Sequence, residues 1–275
     1  MRVLVTGAAG MLGQDMLRHL DGRHEVTGVD LEVDVTDLAA VRACVAEVRP
    51  EAVFLLAAWT DVDGAEEREA DAARVNGDGS GNVAAAAAEA GAAVVVPSTD
   101  FVFDGRAGRA YAEDDEPSPL GAYGRTKLAG ERAALAAHPE GARIARTAWL
   151  YGSAGRNFVD TMRRVGAERE EVTVVDDQEG CPTWTRDLAP ALEALLDQPP
   201  GVYHTAGGGS VTWAGFARAI FEETGIACRV VPITTEQLGR PAPRPSHSPL
   251  AVTRPSAPRL RHWRDALRDY ITETA

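Results

Sequence analysis

Short runs of hydrophobic residues, many of them β-branched, recur along the first half of the chain. Each run is almost continuously apolar and is separated from the next by a longer stretch that contains polar positions. Runs of this kind are typical of strands that are buried on both faces of a sheet. The pattern predicts strands at 2–6, 25–29, 52–57, 92–97 and 142–147.

The stretches between these runs have the spacing or the alanine content of helices. The pattern predicts helices near 11–20, 38–48, 65–90 and 122–137. Strands that alternate with helices indicate a parallel sheet with helices on both faces. We therefore predict an α/β fold of the doubly wound (Rossmann) type.

Past residue 150 the pattern changes to helices joined by loops that are rich in Gly, Pro and Thr. Helical patterns lie near 157–168, 187–197 and 212–223, and residues 239–260 carry six prolines. Those prolines exclude a helix interior or a central strand and favour an extended segment laid over a smaller lobe. The predicted division is a dinucleotide-binding domain at 1–150, to which the chain returns around 172–204. Residues 151–171 and 205–275 are predicted to form the smaller, substrate-binding lobe.

Net charge, the length of apolar runs and cysteine spacing argue against some classes of function. The formal net charge of −13 argues against nucleic acid as a partner, because phosphate backbones require a basic surface. No apolar run reaches the length of a membrane span, and no signal peptide precedes the first strand, so we expect a cytoplasmic protein. The cysteines Cys44, Cys181 and Cys228 have no metal-ligand spacing and are expected to be reduced thiols.

A glycine-rich loop follows the first strand directly. In "VTGAAGMLG" the glycines Gly7, Gly10 and Gly13 stand three residues apart, between a strand and a helix. This arrangement predicts a tight turn at Gly7, close approach of a pyrophosphate at Gly10 and helix packing at Gly13. The free N–H groups at the start of the helix, at Met11 and Leu12, would then bind phosphate.

Residues at the ends of the next two strands complete the predicted dinucleotide site. Asp30 ends the second strand, where a carboxylate binds ribose hydroxyls and repels a 2′-phosphate, which favours NADH over NADPH. Asp34 and the Val35 backbone are placed to bind the amino group of the adenine. Small residues after the third strand let a flat cofactor pass close to the backbone; the cofactor-binding residues predicted there are Ala57, Ala58 and Thr60.

The only lysine among 28 basic residues is Lys127, four residues after Tyr123 on a predicted helix. Residues at this spacing share one helix face, so an ammonium lies beside a phenol. The ammonium favours the phenolate, which would lower the pKa of Tyr123 and suit it to proton transfer. A compact ammonium also fits between a phenol and a ribose, whereas a guanidinium does not. Thr99, at the end of the fourth strand, is the expected third member of the catalytic set.

Together these motifs resemble the extended short-chain dehydrogenase/reductases and, within them, the dTDP-4-dehydrorhamnose reductase family. The glycine loop and the Tyr–Lys pair are typical of the whole superfamily, whereas all the matching stretches together are specific to the family. The matching stretches are "VTGAAGMLG", "VDVTD", "AAWTDVDGAE", "VNGDGSGNVA", "STDFVFDG", "PLGAYGRTKLAGE", "RTAWLYG", "NFVDTM", "DDQEGCPTWTRDLA", "GVYHTAGGG" and "RPSHSPL".

The resemblance implies reduction of the C4 ketone of dTDP-4-dehydro-β-L-rhamnose with NADPH or NADH. It implies that Lys127 binds the ribose and that Tyr123 protonates the nascent alkoxide. Thr99 and Asp100 would contact the sugar, and Trp149 would stack on it. Arg244, in "RPSHS", is expected to bind the dTDP diphosphate, because a guanidinium fork matches phosphate oxygens.

Some members of the family are dimers bridged by Mg²⁺ through glutamates. In this sequence only Asp15 matches an acidic position of that set, which gives weak support for Mg²⁺ and for a homodimer.

Other functions stay open at this stage. A dehydratase would need a second carboxylate after Asp100, where this chain has Phe101. A reductase of another dTDP-4-keto-6-deoxyhexose fits the same motifs. A non-catalytic NAD(P)-binding regulatory subunit is the remaining alternative, against which the intact catalytic residues argue.

Overall fold

The structure is a computed structural model that describes residues 1–274. Its main sheet has six parallel strands in the order β2-β1-β3-β4-β5-β10, which confirms the predicted fold class. The strands are β1 (Arg2–Thr6), β2 (Glu25–Val29), β3 (Ala52–Leu55), β4 (Ala93–Thr99), β5 (Ala142–Thr147), β6 (Leu150–Tyr151), β7 (Glu171–Val175), β8 (Glu179–Gly180), β9 (Thr183–Trp184), β10 (Gly201–His204), β11 (Val211–Thr212) and β12 (Arg229–Ile233).

Helices cover both faces of this sheet, and others belong to a second lobe. No helix within residues 1–274 is long and apolar enough to cross a membrane. In chain order, the helices are α1 (Met11–Leu20), α2 (Leu38–Val48), α3 (Val62–Glu67), α4 (Glu69–Ala73), α5 (Gly79–Glu89), α6 (Ala122–Ala137), α7 (Phe158–Glu168), α8 (Thr185–Ala194), α9 (Trp213–Thr224), α10 (Thr235–Leu238) and α11 (Trp263–Glu273).

Alternate residues of each central strand enter two different cores, because successive side chains of a strand point to opposite faces. Leu4 of β1 packs in the core under α2, α5 and α6. Its neighbours Val3 and Val5 pack in the core under α1 and α8. This two-sided burial explains why the central strands are continuously apolar.

A second lobe packs around the pair β7 and β12, with α7, α9 and α11. Strand β7 belongs to this lobe, so the chain returns to the main sheet only with α8 and β10, later than the predicted position 172. Helix α11 was not predicted from the sequence, although its buried residues recur at helical spacing. They are Trp263, Ala266, Leu267, Tyr270 and Ile271.

The helix expected near 65–90 is confirmed from Glu69 to Glu89, but it is interrupted at Arg68. The chain forms α3 and α4, then a π-helical turn at Arg74–Asp78, and only then α5. Arg68 separates the first two helices with φ −129° and ψ 44°. The turn carries the buried side chain of Asn76, which bonds to the backbone of Trp59 and to Thr126. These bonds link the loop after β3 to α6.

The proline-rich segment 239–260 is extended, as expected, but it does not lie over the smaller lobe alone. Tyr111, in the first half of the chain, exchanges backbone hydrogen bonds with Pro249 and Ala251. Glu179, at the start of β8, does the same with Ser246 and Ser248. The segment is therefore held between two distant parts of the chain.

Candidate active site

A cavity of about 1420 Å³ lies at the carboxyl ends of the main-sheet strands, between the sheet and the second lobe. In doubly wound folds this edge is where ligands bind. Every site residue predicted from the sequence lines this one cavity. They are Gly7, Gly10, Met11, Leu12, Gly13, Asp30, Asp34, Val35, Ala57, Ala58, Thr60, Thr99, Asp100, Tyr123, Lys127, Trp149 and Arg244.

The glycine loop leaves no room for side chains at two positions. Gly7 has φ +66°, and a Cβ there would lie 2.5 Å from the backbone nitrogen of Ala57. A Cβ on Gly13 would lie 2.2 Å from the carbonyl oxygen of Gly7. Gly10 caps α1 without a side chain, so the first N–H groups of the helix are left for a ligand. This cradle suits the pyrophosphate of a dinucleotide.

Asp30 has a structural contact as well as a place in the cavity. Its Oδ2 accepts a hydrogen bond of 2.7 Å from the backbone N–H of Ala9 in the glycine loop. The carboxylate thus ties the end of β2 to the loop and still lines the cavity. The carboxylate of Asp34 accepts from the Thr36 N–H, which lowers the pKa of Asp34.

Lys127 is buried one helical turn beyond Tyr123 on α6. Its Nζ donates a 2.8 Å hydrogen bond to the carbonyl of Pro97 on β4. Pro97 lies past Val95, the last residue of β4 that pairs with β3. Burial lowers the pKa of Lys127 to about 8, and Glu131, one turn further on, opposes this shift.

The pKa of Tyr123 is not lowered toward neutrality, as the Tyr–Lys spacing had predicted, because burial dominates it. Burial raises the pKa of Tyr123 to about 12, and the charge of Asp100 adds to this, while an interaction with the Thr99 hydroxyl acts in the opposite direction. The phenol therefore stays protonated at neutral pH. A protonated phenol is the form that a reduction needs in its proton donor.

Thr99 and Asp100 are both buried at the end of β4. Thr99 Oγ1 donates to Asp100 Oδ1 at 3.1 Å and accepts from the Phe101 N–H at 3.2 Å. The Thr99 proton thus points to Asp100, and it must turn if it is to reach a ketone oxygen. The second carboxylate oxygen of Asp100 accepts from Ser248 at 2.6 Å.

Trp149 is one of two non-glycine residues with positive φ, at +49°, within residues 1–274. Such a backbone is uncommon for a bulky residue and tends to mark functional sites. The Trp213 ring stacks on the Trp149 indole at a centroid distance of 3.5 Å and an angle of 5°. A Cβ on Gly180 would lie 2.5 Å from the same indole. One face of Trp149 is therefore covered by Trp213, and only the remaining surface can meet a sugar.

Arg244 reaches the cavity from the proline-rich segment. Its guanidinium bonds to Asp63 at 2.9 Å, and Arg240 bonds to the other oxygen of the same carboxylate. Arg254 does not line the cavity; its guanidinium lies over the ring of Tyr203.

Several residues at the site were missed by sequence reasoning. Asn76 had no predicted role, and its partners Trp59 and Thr126 are too distant in sequence to give a local signal. Ser248 and Trp213 had no local signal, because their partners are distant in sequence.

The described residues do not by themselves form a metal site. Asp15 is buried, and its carboxylate accepts from Thr185 and pairs with Arg18. Among residues 1–274, no group of three or more His, Cys, Asp or Glu side chains is arranged to hold a metal ion. Mg²⁺ and the homodimer stay predictions from the resemblance.

Known proteins match this chain over almost its whole length. A family model described as the RmlD substrate binding domain matches residues 1–275. A dTDP-4-dehydrorhamnose reductase of Streptomyces griseus is 47% identical, over 98% of this chain and 92% of the relative. A dTDP-4-keto-6-deoxy-D-glucose reductase of Streptomyces niveus is 44% identical, over 97% and 95%. The crystal structure of dTDP-4-dehydrorhamnose reductase from Bacillus anthracis in complex with NADP is 37% identical, covers 99% of both chains and has a TM-score of 0.96.

Proposed function

The chain belongs to the dTDP-4-dehydrorhamnose reductase family, and from that premise we propose that it reduces the C4 ketone of dTDP-4-dehydro-β-L-rhamnose with NADPH or NADH. The product is dTDP-β-L-rhamnose. One observation carries the proposal: the glycine cradle and the set Thr99, Tyr123 and Lys127 line the same cavity. That cavity continues to Trp149 and Arg244, where a nucleotide sugar would lie.

In this reaction Thr99, Tyr123 and Lys127 each have a separate role. When bound, the reduced nicotinamide supplies the hydride. Tyr123, protonated at neutral pH, donates the proton that the developing alkoxide needs. Lys127 stabilises the phenolate that is left, and its N–H groups not used by Pro97 are free to hold ribose hydroxyls. Thr99 turns its proton from Asp100 to the ketone oxygen and so fixes the substrate.

The direct test is turnover of the purified protein. With dTDP-4-dehydro-β-L-rhamnose present, we expect the absorbance of reduced nicotinamide to fall, and NMR of the product to show the rhamno configuration at C4. No consumption of NADPH or NADH would contradict a reductase. Tight cofactor binding without turnover would instead support a regulatory subunit.

A second candidate is reduction of another dTDP-4-keto-6-deoxyhexose. The Streptomyces niveus relative, named for dTDP-4-keto-6-deoxy-D-glucose, is almost as similar as the rhamnose enzyme from Streptomyces griseus. The two 4-keto sugars should be offered to the protein side by side. A higher kcat/KM for the D-glucose derivative would favour this candidate over the first.

Asp30 predicts that NADH binds at least as tightly as NADPH. Its charge at the end of β2 opposes a 2′-phosphate, and its bond to Ala9 holds it there. Asp30→Asn keeps an acceptor for Ala9 but removes the charge, so this variant should shift the preference toward NADPH. Titration of both cofactors measures this, and NADPH binding about tenfold tighter to the wild type, about 1.4 kcal/mol, would contradict the argument.

Arg244→Ala should raise the KM for the dTDP sugar more than about tenfold, because a guanidinium–phosphate fork is lost. The fold should persist, since Asp63 keeps Arg240 as a partner. The KM for the cofactor should not change. Arg259→Ala is the matched control, because Arg259 is an exposed arginine of the same segment. An unchanged sugar KM in Arg244→Ala would mean that another group binds the diphosphate.

A further inference from the structure

Three buried groups form a continuous hydrogen-bonded chain from the proline-rich segment to the catalytic threonine. Ser248 Oγ donates to Asp100 Oδ2 at 2.6 Å, and Thr99 Oγ1 donates to Asp100 Oδ1 at 3.1 Å. Ser248 and Asp100 are each 1% exposed, and Thr99 is 6% exposed. Solvent therefore cannot replace either donor if one is removed.

The Thr99 hydroxyl has one proton, and two acceptors compete for it. Asp100 holds it in this structure, whereas the proposed reduction needs it at the ketone oxygen. A buried carboxylate attracts donors strongly, because an unpaired charge is costly in a low dielectric. How firmly Asp100 holds Thr99 therefore depends on what else bonds to Asp100.

The position of Ser248 is fixed by the backbone on both sides. Its own N–H donates to the carbonyl of Glu179 at 2.9 Å, and Pro249, the next residue, accepts from the Tyr111 N–H at 2.8 Å. Four residues earlier, Arg244 lines the cavity. The segment that offers Arg244 to a substrate thus also sets the hydrogen bonding of Asp100.

We propose that Ser248 is a positioning residue for the reduction, which donates to Asp100 and thereby weakens the hold of that carboxylate on the Thr99 proton. This inference rests on the proposed function. It assigns to the proline-rich segment a part in the chemical step in addition to substrate binding. Ser248 does not touch the substrate; it acts through Asp100.

The charge state of Asp100 makes the proposal testable by pH. Burial raises the pKa of Asp100 to about 6, and the hydrogen bonds from Ser248 and Thr99 oppose this shift. The titratable groups that its charge affects are Tyr123 on α6 and the buried thiol of Cys181, whose pKa values lie far above neutrality. His247, beside Ser248, pairs with Glu179. Of Asp100, Tyr123 and Cys181, only Asp100 has a pKa on the acid side of neutrality.

Ser248→Ala should lower kcat by about tenfold to a hundredfold near neutral pH, the usual effect of losing a hydrogen bond to a charged group. The KM values for sugar and cofactor should stay close to those of the wild type. Loss of the Ser248 donor raises the pKa of Asp100, so protonation begins at higher pH. A protonated Asp100 no longer competes for the Thr99 proton. The deficit in kcat should therefore shrink as the pH is lowered toward 6.

The experiment compares kcat and KM against pH for the wild type, Ser248→Ala, Ser248→Thr and Ser246→Ala. Ser248→Thr keeps the hydroxyl and should recover much of the lost rate. Ser246 bonds only to the Gly105 carbonyl through its hydroxyl, so Ser246→Ala should behave as the wild type. A deficit in Ser248→Ala that is equal at all pH values, or a kcat like the wild type, would overturn the inference. Lack of activity in the wild type itself would instead overturn the proposed function.

Discussion

Tyr123→Phe should slow hydride transfer to the sugar by about 10²–10⁴-fold, the usual effect of removing a positioned acid. The variant keeps the ring, which packs edge-on against Phe101, and loses only the hydroxyl. The alkoxide that forms at C4 is then without its proton donor. Single-turnover measurements at saturating cofactor isolate this step from product release.

Cofactor binding provides the control for Tyr123→Phe. The cradle at Gly7 and Gly13 is remote from the hydroxyl, so the dissociation constant of the cofactor should change little. A rate within a few-fold of the wild type would show that another group donates the proton.

Lys127→Arg should be almost as damaging as Lys127→Ala, again by about 10²–10⁴-fold. Arginine keeps the positive charge, but its planar fork cannot take the place of the compact ammonium that donates to the Pro97 carbonyl without displacing a neighbour. Lys127 lines the cavity, so a larger head would enter the space that the ribose of the cofactor would need. Arg125→Lys, on the exposed side of the same helix, is the matched control for an exchange of these residue types.

Much of the fold could be predicted because its signals are local. The central positions of strands such as β1 are apolar because both faces are buried, and the glycine loop has a required spacing. The carboxyl ends of parallel strands meet at one edge, which is why residues as distant as Asp30 and Thr99 share a cavity. The helix predicted near 65–90 is interrupted at Arg68, and its π-helical turn carries Asn76, whose hydrogen bonds to distant residues no local pattern reveals.

The details of the site depend on contacts between distant residues, which no local pattern reveals. Ser248 and Asp100 are 148 positions apart. Spacing on α6 correctly placed Tyr123 near Lys127, but it could not predict the pKa of the phenol. That pKa follows from burial and from Asp100, which are properties of the folded chain. The stack of Trp213 on Trp149 is likewise visible only in three dimensions.

The claim that Lys127 supports Tyr123 as proton donor is tested most directly by the pH dependence of single-turnover hydride transfer. The pKa of Lys127 is lowered to about 8 and that of Tyr123 is raised to about 12. Lys127 is therefore charged below a pH of about 8 and neutral above it, whereas Tyr123 stays protonated on both sides of this value. The account predicts a wild-type rate that falls as the pH rises through about 8. It also predicts a Lys127→Arg rate that is far lower and does not fall there. A Lys127→Arg rate within a few-fold of the wild type, with the same pH profile, would contradict the account.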